Sequence, residues 1–484
     1  MRLAMSMHSG RLDELAEKLY GISGETLMNN AADALFAKVT EDITKNLSIA
    51  VFCGRGKNGG DGFLLAVKLK NAGYSVKAVV CFSNTDNINP LTSLAMERAA
   101  EKTVPLVSLS DFQSADVYID ALLGTGFQGE INGLYKYAVE KINTGKTVIA
   151  IDLPSGLCCD NGKISNVCVK ADMTYTLAIH KIGLAIYPGA DYAGKISVLD
   201  IGIPQECYNG IETHVSLFDG EFARKLYPAR YENSHKGTYG KVSVFAGSAG
   251  MLGSVLLSSA AVLKAGAGLC VAAVNDEIFK SVEARVTEVI VKHDKDYKKI
   301  IENSDTLVIG SGYLSNPKIS HIMKLAQHGT LPVVVDAEGL NYINNKDRKC
   351  PMVVTPHPGE FSKMIGLNTK EINENRIYLS QKYAKENNAV VVLKGARTVV
   401  SSPNGETRII KSGTNGMATA GSGDVLAGLI GGFLAQGLST FDAASLGAYI
   451  HGLAGELAAH DLTVYSVTAS DILGNIGRAM KVNE

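Results

Sequence analysis

Gly421, Ser422, Gly423 and Asp424 form the run with the clearest chemical potential, directly before an apolar stretch that predicts a helix. A glycine-rich helix start leaves backbone N–H groups free, and the positive end of the helix dipole favours a phosphate there. A carboxylate at this place can accept a proton from a hydroxyl while the loop stabilises a transferring phosphoryl group. We therefore predict a catalytic role for Asp424; the alternative is that it only caps the helix.

A second glycine-rich run, GRGKNGGDG at residues 54–62, follows a fully apolar strand predicted at 48–53. Glycines let the backbone pass close to a ligand, and a helix start offers free N–H groups to an anion. We predict that this run is a loop and that the next helix spans about residues 63–72. The run is neither a P-loop nor a strict dinucleotide fingerprint. The high density of glycines in this run favours ligand binding over the alternative of a plain tight turn.

Polar residues also follow two other predicted strands, with Asp120 after the run at 116–119 and Asp152 and Ser155 after the run at 148–151. Ligands of open α/β sheets bind just beyond the carboxyl ends of the strands. A single aspartate there is most often a cap or turn residue. Three loops at matching positions, with Asn58 and Asp61 in the first, instead predict a shared site.

The elements that must position these residues alternate along the chain between short β-rich runs and helical patterns. This alternation predicts βαβ units and a mostly parallel sheet covered on both faces. The pattern lapses between about Pro204 and Lys241, so we place a domain boundary near residue 215. The second half resumes the alternation and ends in three predicted helices, at 424–436, 441–461 and 470–481.

Composition excludes several classes of protein. Lys+Arg is 47 and Asp+Glu is 48 in 484 residues, so bulk charge does not attach the chain to nucleic acid or to an anionic membrane. The 8 cysteines are scattered and include no CxxC pair, which predicts reduced thiols. The N-terminus lacks a secretory pattern, and no apolar stretch reaches the roughly 18 residues of a membrane span. We expect a soluble, cytoplasmic homo-oligomer with no nucleic-acid or membrane partner.

The loops at Asn58, Asp120 (DALLGTG) and Asp152 (DLPSG) resemble the N-terminal domain of the NAD(P)H-hydrate epimerases, over about residues 5–215. The resemblance implies a Rossmann-like three-layer αβα domain, to which we assign residues 1–215. It implies a potassium ion held by Asn58, Asp120 and Ser155, oxygen donors that suit a weakly held cation. It also implies that Asp152 and Lys181 move protons at the hemiaminal carbon of the substrate. The alternative for Lys181 is a solvated strand-end lysine. The contacts implied for the hydrated nicotinamide nucleotide are Lys57, Asn58, Gly59, Gly60, Asp61, Gly124, Thr125, Gly126, Phe127, Gln128, Gly129, Glu130 and Asp152.

The run at Asp424 resembles the anion hole of the ribokinase-like superfamily. The segments SHKGTYG from Ser234, KAGAGL from Lys264, TPHPGE from Thr355 and KGART from Lys394 narrow the resemblance to the ADP/ATP-dependent NAD(P)H-hydrate dehydratases. It covers about residues 222–484 and implies a ribokinase-like αβα domain with those bounds.

This second resemblance implies two sets of contacts and a magnesium ion bound with ADP or ATP, held mostly by phosphates and water. His451 and His460, on an Ala- and Gly-rich helix, we interpret as packing residues. The hydrated cofactor is expected to contact Ala267, Gly312, His357 and Asp424, and the adenine nucleotide to contact Lys394, Gly395, Ala396, Arg397, Thr398 and Gly423.

Together the resemblances imply a bifunctional enzyme of nicotinamide nucleotide repair. The second domain phosphorylates the C6 hydroxyl of the S hydrate, and loss of phosphate, driven by the ring nitrogen, regenerates NADH or NADPH. The first domain interconverts the R and S hydrates and so supplies the S form. Two alternatives stay open: a ribokinase-type kinase of a small vitamin precursor, and a first domain that binds without catalysing. The sequence selects neither ADP over ATP nor one hydrated cofactor over the other.

Overall fold

The chain folds into two compact units in a computed structural model that describes residues 1–82, 87–315, 317–345 and 348–483. The first unit comprises Arg2–Val215, and the second begins at Ser216 and also includes Met1. Each unit has one sheet, of seven and of ten strands, with helices packed against it. The predicted class, two α/β domains, is confirmed.

The first domain has a fully parallel sheet in the order β3-β2-β1-β4-β5-β6-β7. The order in which the chain adds strands reverses between β1 and β4, as in doubly wound folds. Its strands are β1 Ser48–Cys53, β2 Ser75–Val80, β3 Leu106–Ser108, β4 Val117–Ala121, β5 Thr147–Ile151, β6 Met173–Leu177 and β7 Lys195–Leu199. Its helices are α1 Ser6–Tyr20, α2 Gly24–Asp42, α3 Lys57–Asn71, α4 Pro90–Glu101, α5 Gly133–Ile142, α6 Ile182–Ala185, α7 Ala190–Ala193 and α8 Gln205–Asn209.

Strand β1 shows why the sheet is covered on both faces. Ile49 and Val51 belong to a core that includes residues of α2, α3 and α4, whereas Ala50 and Phe52 belong to a separate core with residues of α5. A strand buried on both faces reads as a continuous apolar run, and this made β1 predictable from the sequence.

Helix α3 begins six residues earlier than predicted, at Lys57 with Gly56 as its N-cap. The expectation that residues 57–62 form a loop is therefore wrong. Gly59 is required inside the helix because a Cβ there would lie 1.8 Å from the Gly54 carbonyl oxygen. Glycine is a poor helix former, but close packing of the helix on the preceding turn outweighs that propensity.

The second domain has a sheet in the order β11-β10-β9-β12-β13-β14-β15-β16-β17-β8, parallel from β11 to β15 and antiparallel through β16 and β17. Its strands are β8 Val215–Phe218, β9 Lys241–Phe245, β10 Leu269–Val274, β11 Ile290–His293, β12 Thr306–Ile309, β13 Val333–Val335, β14 Met352–Val354, β15 Val390–Leu393, β16 Val399–Ser401 and β17 Thr407–Ile410. Its helices are α9 Gly220–Arg224, α10 Leu252–Lys264, α11 Phe279–Glu283, α12 Tyr297–Glu302, α13 Pro317–His328, α14 Pro358–Ile365, α15 Thr369–Glu374, α16 Arg376–Asn387, α17 Ser422–Ala435, α18 Thr440–Asp461 and α19 Ala469–Asn483.

The stretch from Pro204 to Lys241, read as having no regular element, holds β8 and the short helices α8 and α9. Strand β8 lies at the edge of the second sheet beside β17. Strands β3 and β11 are also short edge strands that the sequence did not predict. Edge strands are often short and partly exposed, so they lack the apolar runs that mark central strands.

The second sheet also reverses its order, between β9 and β12, and the segments after these two strands meet. Gly247 after β9 donates its backbone N–H to the carbonyl oxygen of Ser311 after β12, at 2.9 Å. Helix α17, which begins at Ser422, packs against α10 and lies close to β12 and β13. The start of α17 is thereby held near the carboxyl ends of central strands, where ligands of such sheets bind.

Candidate active sites

A cavity of about 590 Å³ opens in the first domain beyond the carboxyl ends of β1, β4 and β5. It is lined by the start of α3, by the segment 122–128 and by residues after β5 and β6. The structure thus brings together loops that are distant in the sequence. The predicted site residues that line the cavity are Lys57, Asn58, Asp61, Gly124, Thr125, Gly126, Phe127, Gln128, Asp152 and Lys181.

Asp152 and Lys181 form an ion pair in this cavity. Lys181 is 1% exposed and donates hydrogen bonds to Asp152 Oδ1 and, at 2.7 Å, to the carbonyl oxygen of Leu177. Asp152 Oδ1 also accepts from the Leu177 N–H at 3.2 Å. The alternative of a solvated strand-end lysine is therefore wrong. Asp152 has φ +67°, an unfavourable region for a non-glycine residue that is over-represented at functional sites.

Asp61 is a second buried carboxyl in the same cavity. Burial is the main cause that raises the pKa of Asp61 well above its ordinary value, and Asp152 adds to the shift. A group that is buried in a cavity and titrates far from its usual range is a candidate for proton transfer.

Asp120 and Ser155 bond to each other, and Leu123 links Ser155 to Asn58, which lines the cavity. Ser155 donates to both Asp120 oxygens, from its hydroxyl to Oδ1 and from its backbone N–H to Oδ2, each at 2.7 Å. Asn58 donates from Nδ2 to the carbonyl oxygens of Leu123 and Ile151, at 3.0 and 3.2 Å. Its Oδ1 is buried and accepts no hydrogen bond. Burial raises the pKa of Asp120 to about 6. A buried amide oxygen without a partner, linked through Leu123 and Ser155 to a buried carboxyl, fits a weakly hydrated cation.

Four residues expected to contact the first domain's substrate do not line the cavity: Gly59, Gly60, Gly129 and Glu130. A Cβ on Gly60 would lie 2.7 Å from the Met28 methyl carbon, so Gly60 packs closely against α2. The dense glycine run thus has a structural cause that the sequence alone did not separate from ligand binding.

In the second domain, Asp424 lies in the first turn of α17 and is partly buried. The preceding Gly421 has φ +86°, which favours glycine at this helix start. Burial raises the pKa of Asp424 to about 6; hydrogen bonds from Ser254 and Ser311 lower it, and the charges of Asp336 and Lys394 act in opposite directions. Ser254, Ser311 and Asp336 were not predicted, because isolated Ser and Asp residues carry no sequence signal.

Lys394 connects Asp424 to two other carboxylates. Its Nζ lies 2.9 Å from Asp336 Oδ1 and 3.7 Å from Glu360 Oε2. A Cβ on Gly423 would lie 3.3 Å from the same nitrogen, so Lys394 reaches the glycine-bounded start of α17. The structure therefore joins three predicted residues, Lys394, Gly423 and Asp424, in one group.

The segment 394–398 is a rigid turn held by a buried arginine that the sequence did not identify. Arg376 is 6% exposed and donates to the carbonyl oxygens of Leu393 and Ala396, at 3.0 and 2.6 Å. Burial lowers the pKa of Arg376 to about 10. Within the turn, Arg397 has φ +54° and Thr398 donates to the Gly395 carbonyl oxygen at 3.0 Å.

Gly312 joins the Asp424 group, because a Cβ on it would lie 2.5 Å from Ser254 Oγ. Ala267 does not. It follows the C-terminal end of α10, whereas Ser254 lies in the first turn of that helix, and the ten residues from Ser254 to Lys264 alone rise about 15 Å. Ala267 is 7% exposed and belongs to the apolar core of the second domain. The expectation that Ala267 shares a site with Asp424 is corrected accordingly.

The three histidines discussed above have different surroundings. His357 caps α14, where its Nδ1 accepts from the N–H groups of Gly359 and Glu360 at 3.0 and 3.2 Å, and its side chain is 56% exposed. His451 is buried and lies 3.2 Å from the Ser422 hydroxyl, and burial lowers its pKa to about 4. The side chain of His460 is 85% exposed, so its interpretation as a packing residue is wrong.

Among the described residues, no group of three or more His, Cys, Asp or Glu side chains is arranged to hold a metal ion. The 8 cysteines are free thiols, as the sequence predicted. A search of the described helices finds none that is both long and apolar enough to cross a membrane.

Two family models match the chain. The model of the YjeF-related protein N-terminus matches residues 24–183, and the model of NAD(P)H-hydrate dehydratase matches residues 242–478. A crystal structure of the ADP/ATP-dependent NAD(P)H-hydrate dehydratase from Bacillus subtilis, co-crystallized with ATP and Mg²⁺, is similar with a TM-score of 0.53 and 28% identity. The similarity covers 56% of this chain and 100% of that one.

Full-length relatives share both domains. The bifunctional NAD(P)H-hydrate repair enzyme Nnr of Moorella thermoacetica is 37% identical over 98% of this chain and 95% of its own length. The enzyme of the same name from Archaeoglobus fulgidus is 32% identical over 95% of each chain. Because the two family models match the two halves of the chain and these relatives align over nearly its whole length, the chain belongs to the family of bifunctional NAD(P)H-hydrate repair enzymes.

Proposed function

We propose that this chain repairs hydrated NADH and NADPH: the first domain, residues 1–215, interconverts the R and S hydrates, and the second, residues 222–484, dehydrates the S form at the expense of ADP or ATP. The observation that carries the proposal is the meeting of Asp424, Gly423 and Lys394 at the start of α17, in a domain similar to a dehydratase crystallised with ATP. A small-molecule kinase could share this helix start. The near-complete similarity to repair enzymes favours dehydration instead.

The dehydration follows from the placement of Asp424. Its carboxylate accepts the proton of the C6 hydroxyl while that oxygen attacks the terminal phosphorus of the nucleotide. The free N–H groups at the start of α17 and the Lys394 ammonium stabilise the charge on the phosphoryl oxygens. Phosphate then leaves from C6, driven by the electron pair of the ring nitrogen, and a proton lost from the neighbouring carbon completes the dihydronicotinamide.

Magnesium bound with the nucleotide would neutralise phosphate charge. The protein oxygens that could hold it are few: Asp336 and Glu360, both beside Lys394, are the carboxylates near this group. Asp336 already accepts from Thr355 Oγ1 at 2.7 Å and from Ser311 Oγ at 3.1 Å. Most ligands of the ion must therefore be phosphate oxygens and water, which is usual for magnesium.

The epimerisation uses the cavity of the first domain. Asp152 accepts the proton of the hemiaminal hydroxyl, and Lys181 holds that carboxylate in place through their ion pair. The proposed potassium ligands are Asn58, Asp120 and Ser155. A cation held there would supply the partner that the buried Asn58 Oδ1 lacks. The intact ion pair and cavity argue against a first domain that only binds.

The deciding experiment mixes purified protein with separated R and S hydrates of NADH and NADPH, with and without ADP or ATP. We expect absorbance of the reduced cofactor to return only with nucleotide, and R hydrate to be consumed through the S form. Exchange between epimers should proceed without nucleotide. Transfer of phosphate to a stable alcohol without returned absorbance would establish the kinase alternative, and R hydrate exchange no faster than in buffer would make the first domain a binding module.

A further inference from the structure

The first domain's cavity holds a carboxyl that none of the steps above uses. Asp61 lies one turn into α3, is 8% exposed and lines the cavity with Asp152 and Lys181. Within the described part of the chain, no hydrogen bond from a protein group to its carboxyl oxygens is found. Asp120, in contrast, accepts from Ser155 and from the Leu122 N–H. A buried carboxyl without a protein partner is available to a bound molecule.

The surroundings of Asp61 favour its neutral form. Burial is the largest cause that raises its pKa well above the ordinary value; Asp152 and Asp13 also raise it, and Lys57 and Lys181 lower it. Lys57 is itself paired with Asp13 at 3.0 Å, and Lys181 with Asp152, which weakens their effect on Asp61. Two carboxyls in one cavity with different surroundings, one paired with a lysine and one buried without such a pair, are the usual arrangement of a base and an acid.

We propose that Asp61 is the proton donor of the first domain's reaction and that Asp152 is its base. The inference rests on the proposed epimerase function and makes Lys181 a positioning residue. Asp152 accepts the proton of the C6 hydroxyl as the C6–N1 bond breaks. The electron pair of that bond passes to N1, Asp61 gives N1 its proton, and C6 becomes an open-chain aldehyde.

Rotation about the C5–C6 bond then presents the other face of the aldehyde to N1. N1 attacks C6, its proton returns to Asp61, and the proton on Asp152 returns to the oxygen. Both carboxyls end in their starting states, and no water, oxidant or reductant is consumed. The same two groups serve both directions, because the epimers differ only in the configuration at C6.

The test uses the whole chain without ADP or ATP, so that no dehydration takes place. Asp61→Asn keeps the shape of the side chain and removes the acidic proton. Asp33→Asn is the matched control, since the Asp33 side chain, on α2, is 65% exposed and pairs at the surface with Lys68 of α3. The rate of R-to-S exchange is measured from pH 5 to 9 by chromatography of quenched samples, and hydrate affinity by calorimetry.

We expect Asp61→Asn to lower kcat by about 100-fold or more, the usual contribution of a general acid, with Kd changed less than about 5-fold. The wild-type rate should fall as the pH rises through the raised pKa of Asp61, where this residue loses its proton, and Asp33→Asn should match the wild type throughout. If Asp61→Asn keeps the wild-type rate and the same fall of the rate with rising pH, the inference is wrong. In that case the exchange of epimers by the wild-type protein would still support the epimerase function. A wild type that does not exchange epimers defeats the proposed function itself.

A second measurement uses the wild-type protein, so it can be made even if Asp61→Asn does not fold. Wild-type exchange in ¹⁸O-water should retain the original C6 oxygen, because the C6–N1 bond is the one that breaks. Incorporation of one ¹⁸O per turnover would mean that the C6–O bond breaks, and it would overturn the proton transfer to N1.

Discussion

Lys181 donates a hydrogen bond to Asp152 inside the first domain, where their side chains are only 2% and 12% exposed. The pair joins the residue after β5 to the N-cap of α6. Removing one member of such a pair leaves the other charge buried without compensation, which costs more than the intact pair contributes.

Lys181→Met should therefore lower the free energy of unfolding of the first domain by about 3–5 kcal/mol. The double variant Lys181→Met with Asp152→Leu should recover much of that loss, yet remain inactive in epimer exchange. The chain has no tryptophan, so urea unfolding is best followed by hydrogen exchange and mass spectrometry, resolved by domain. A single variant as stable as the wild type would mean that the pair is solvated.

The two activities should separate by mutation. Asp424→Ala should lower dehydration by about 1000-fold, as loss of an activating base does, and leave epimer exchange intact. Asp152→Ala should abolish exchange and leave dehydration of pure S hydrate intact. Returned absorbance and the R-to-S ratio measure the two reactions in one sample. If each folded variant loses both activities, the assignment of one reaction to each domain is wrong.

The dehydration rate should depend on pH through Asp424. Its pKa is raised to about 6, and the base must be ionised, so kcat/KM should rise with pH through about 6 and level off above it. The Ser254 hydroxyl lowers that pKa, so Ser254→Ala should move the midpoint upward. A pH–rate profile of each protein with saturating nucleotide tests both statements. Identical midpoints would show that Ser254 does not bond to the ionised carboxylate.

The same raised pKa should appear as a stability difference. The folded pKa of Asp424 is about 6 against an ordinary 3.8, so the folded state binds a proton more tightly, and this contribution to stability is lost as pH rises from about 4 to about 6. Asp424→Asn removes the penalty and should gain about 2 kcal/mol at pH 7, after allowance for partial exposure. The gain should vanish at pH 4. Thermal unfolding at the two pH values measures it, and a destabilised variant at pH 7 would contradict the expectation.

Potassium should stabilise the first domain through Asn58. Binding to the folded state alone raises Tm with ion concentration, and potassium should act more strongly than lithium. Asn58→Leu removes the unpartnered oxygen at similar size and should abolish the response, although loss of the two Asn58 hydrogen bonds will also lower the basal Tm. An unchanged response to potassium in this variant would exclude Asn58 as a ligand.

The sequence by itself determined most central strands and the helix that Asp424 opens. β1 matches its predicted range, because a parallel strand buried on both faces is a continuous apolar run in the sequence. The start of α3 was misplaced, since glycines that read as a loop are instead demanded by contact with Gly54, which lies outside the helix.

Tertiary structure alone decided which polar residues work together. Ser254, Asp336 and Lys394 reach Asp424 from three separate segments, and Ala267 lies at the far end of α10 although its motif adjoins the same helix. Lys181 is ion-paired and buried rather than solvated for a similar reason. Local patterns report the propensity of a segment, whereas burial, charge pairing and a shifted pKa arise only when distant segments pack against one another.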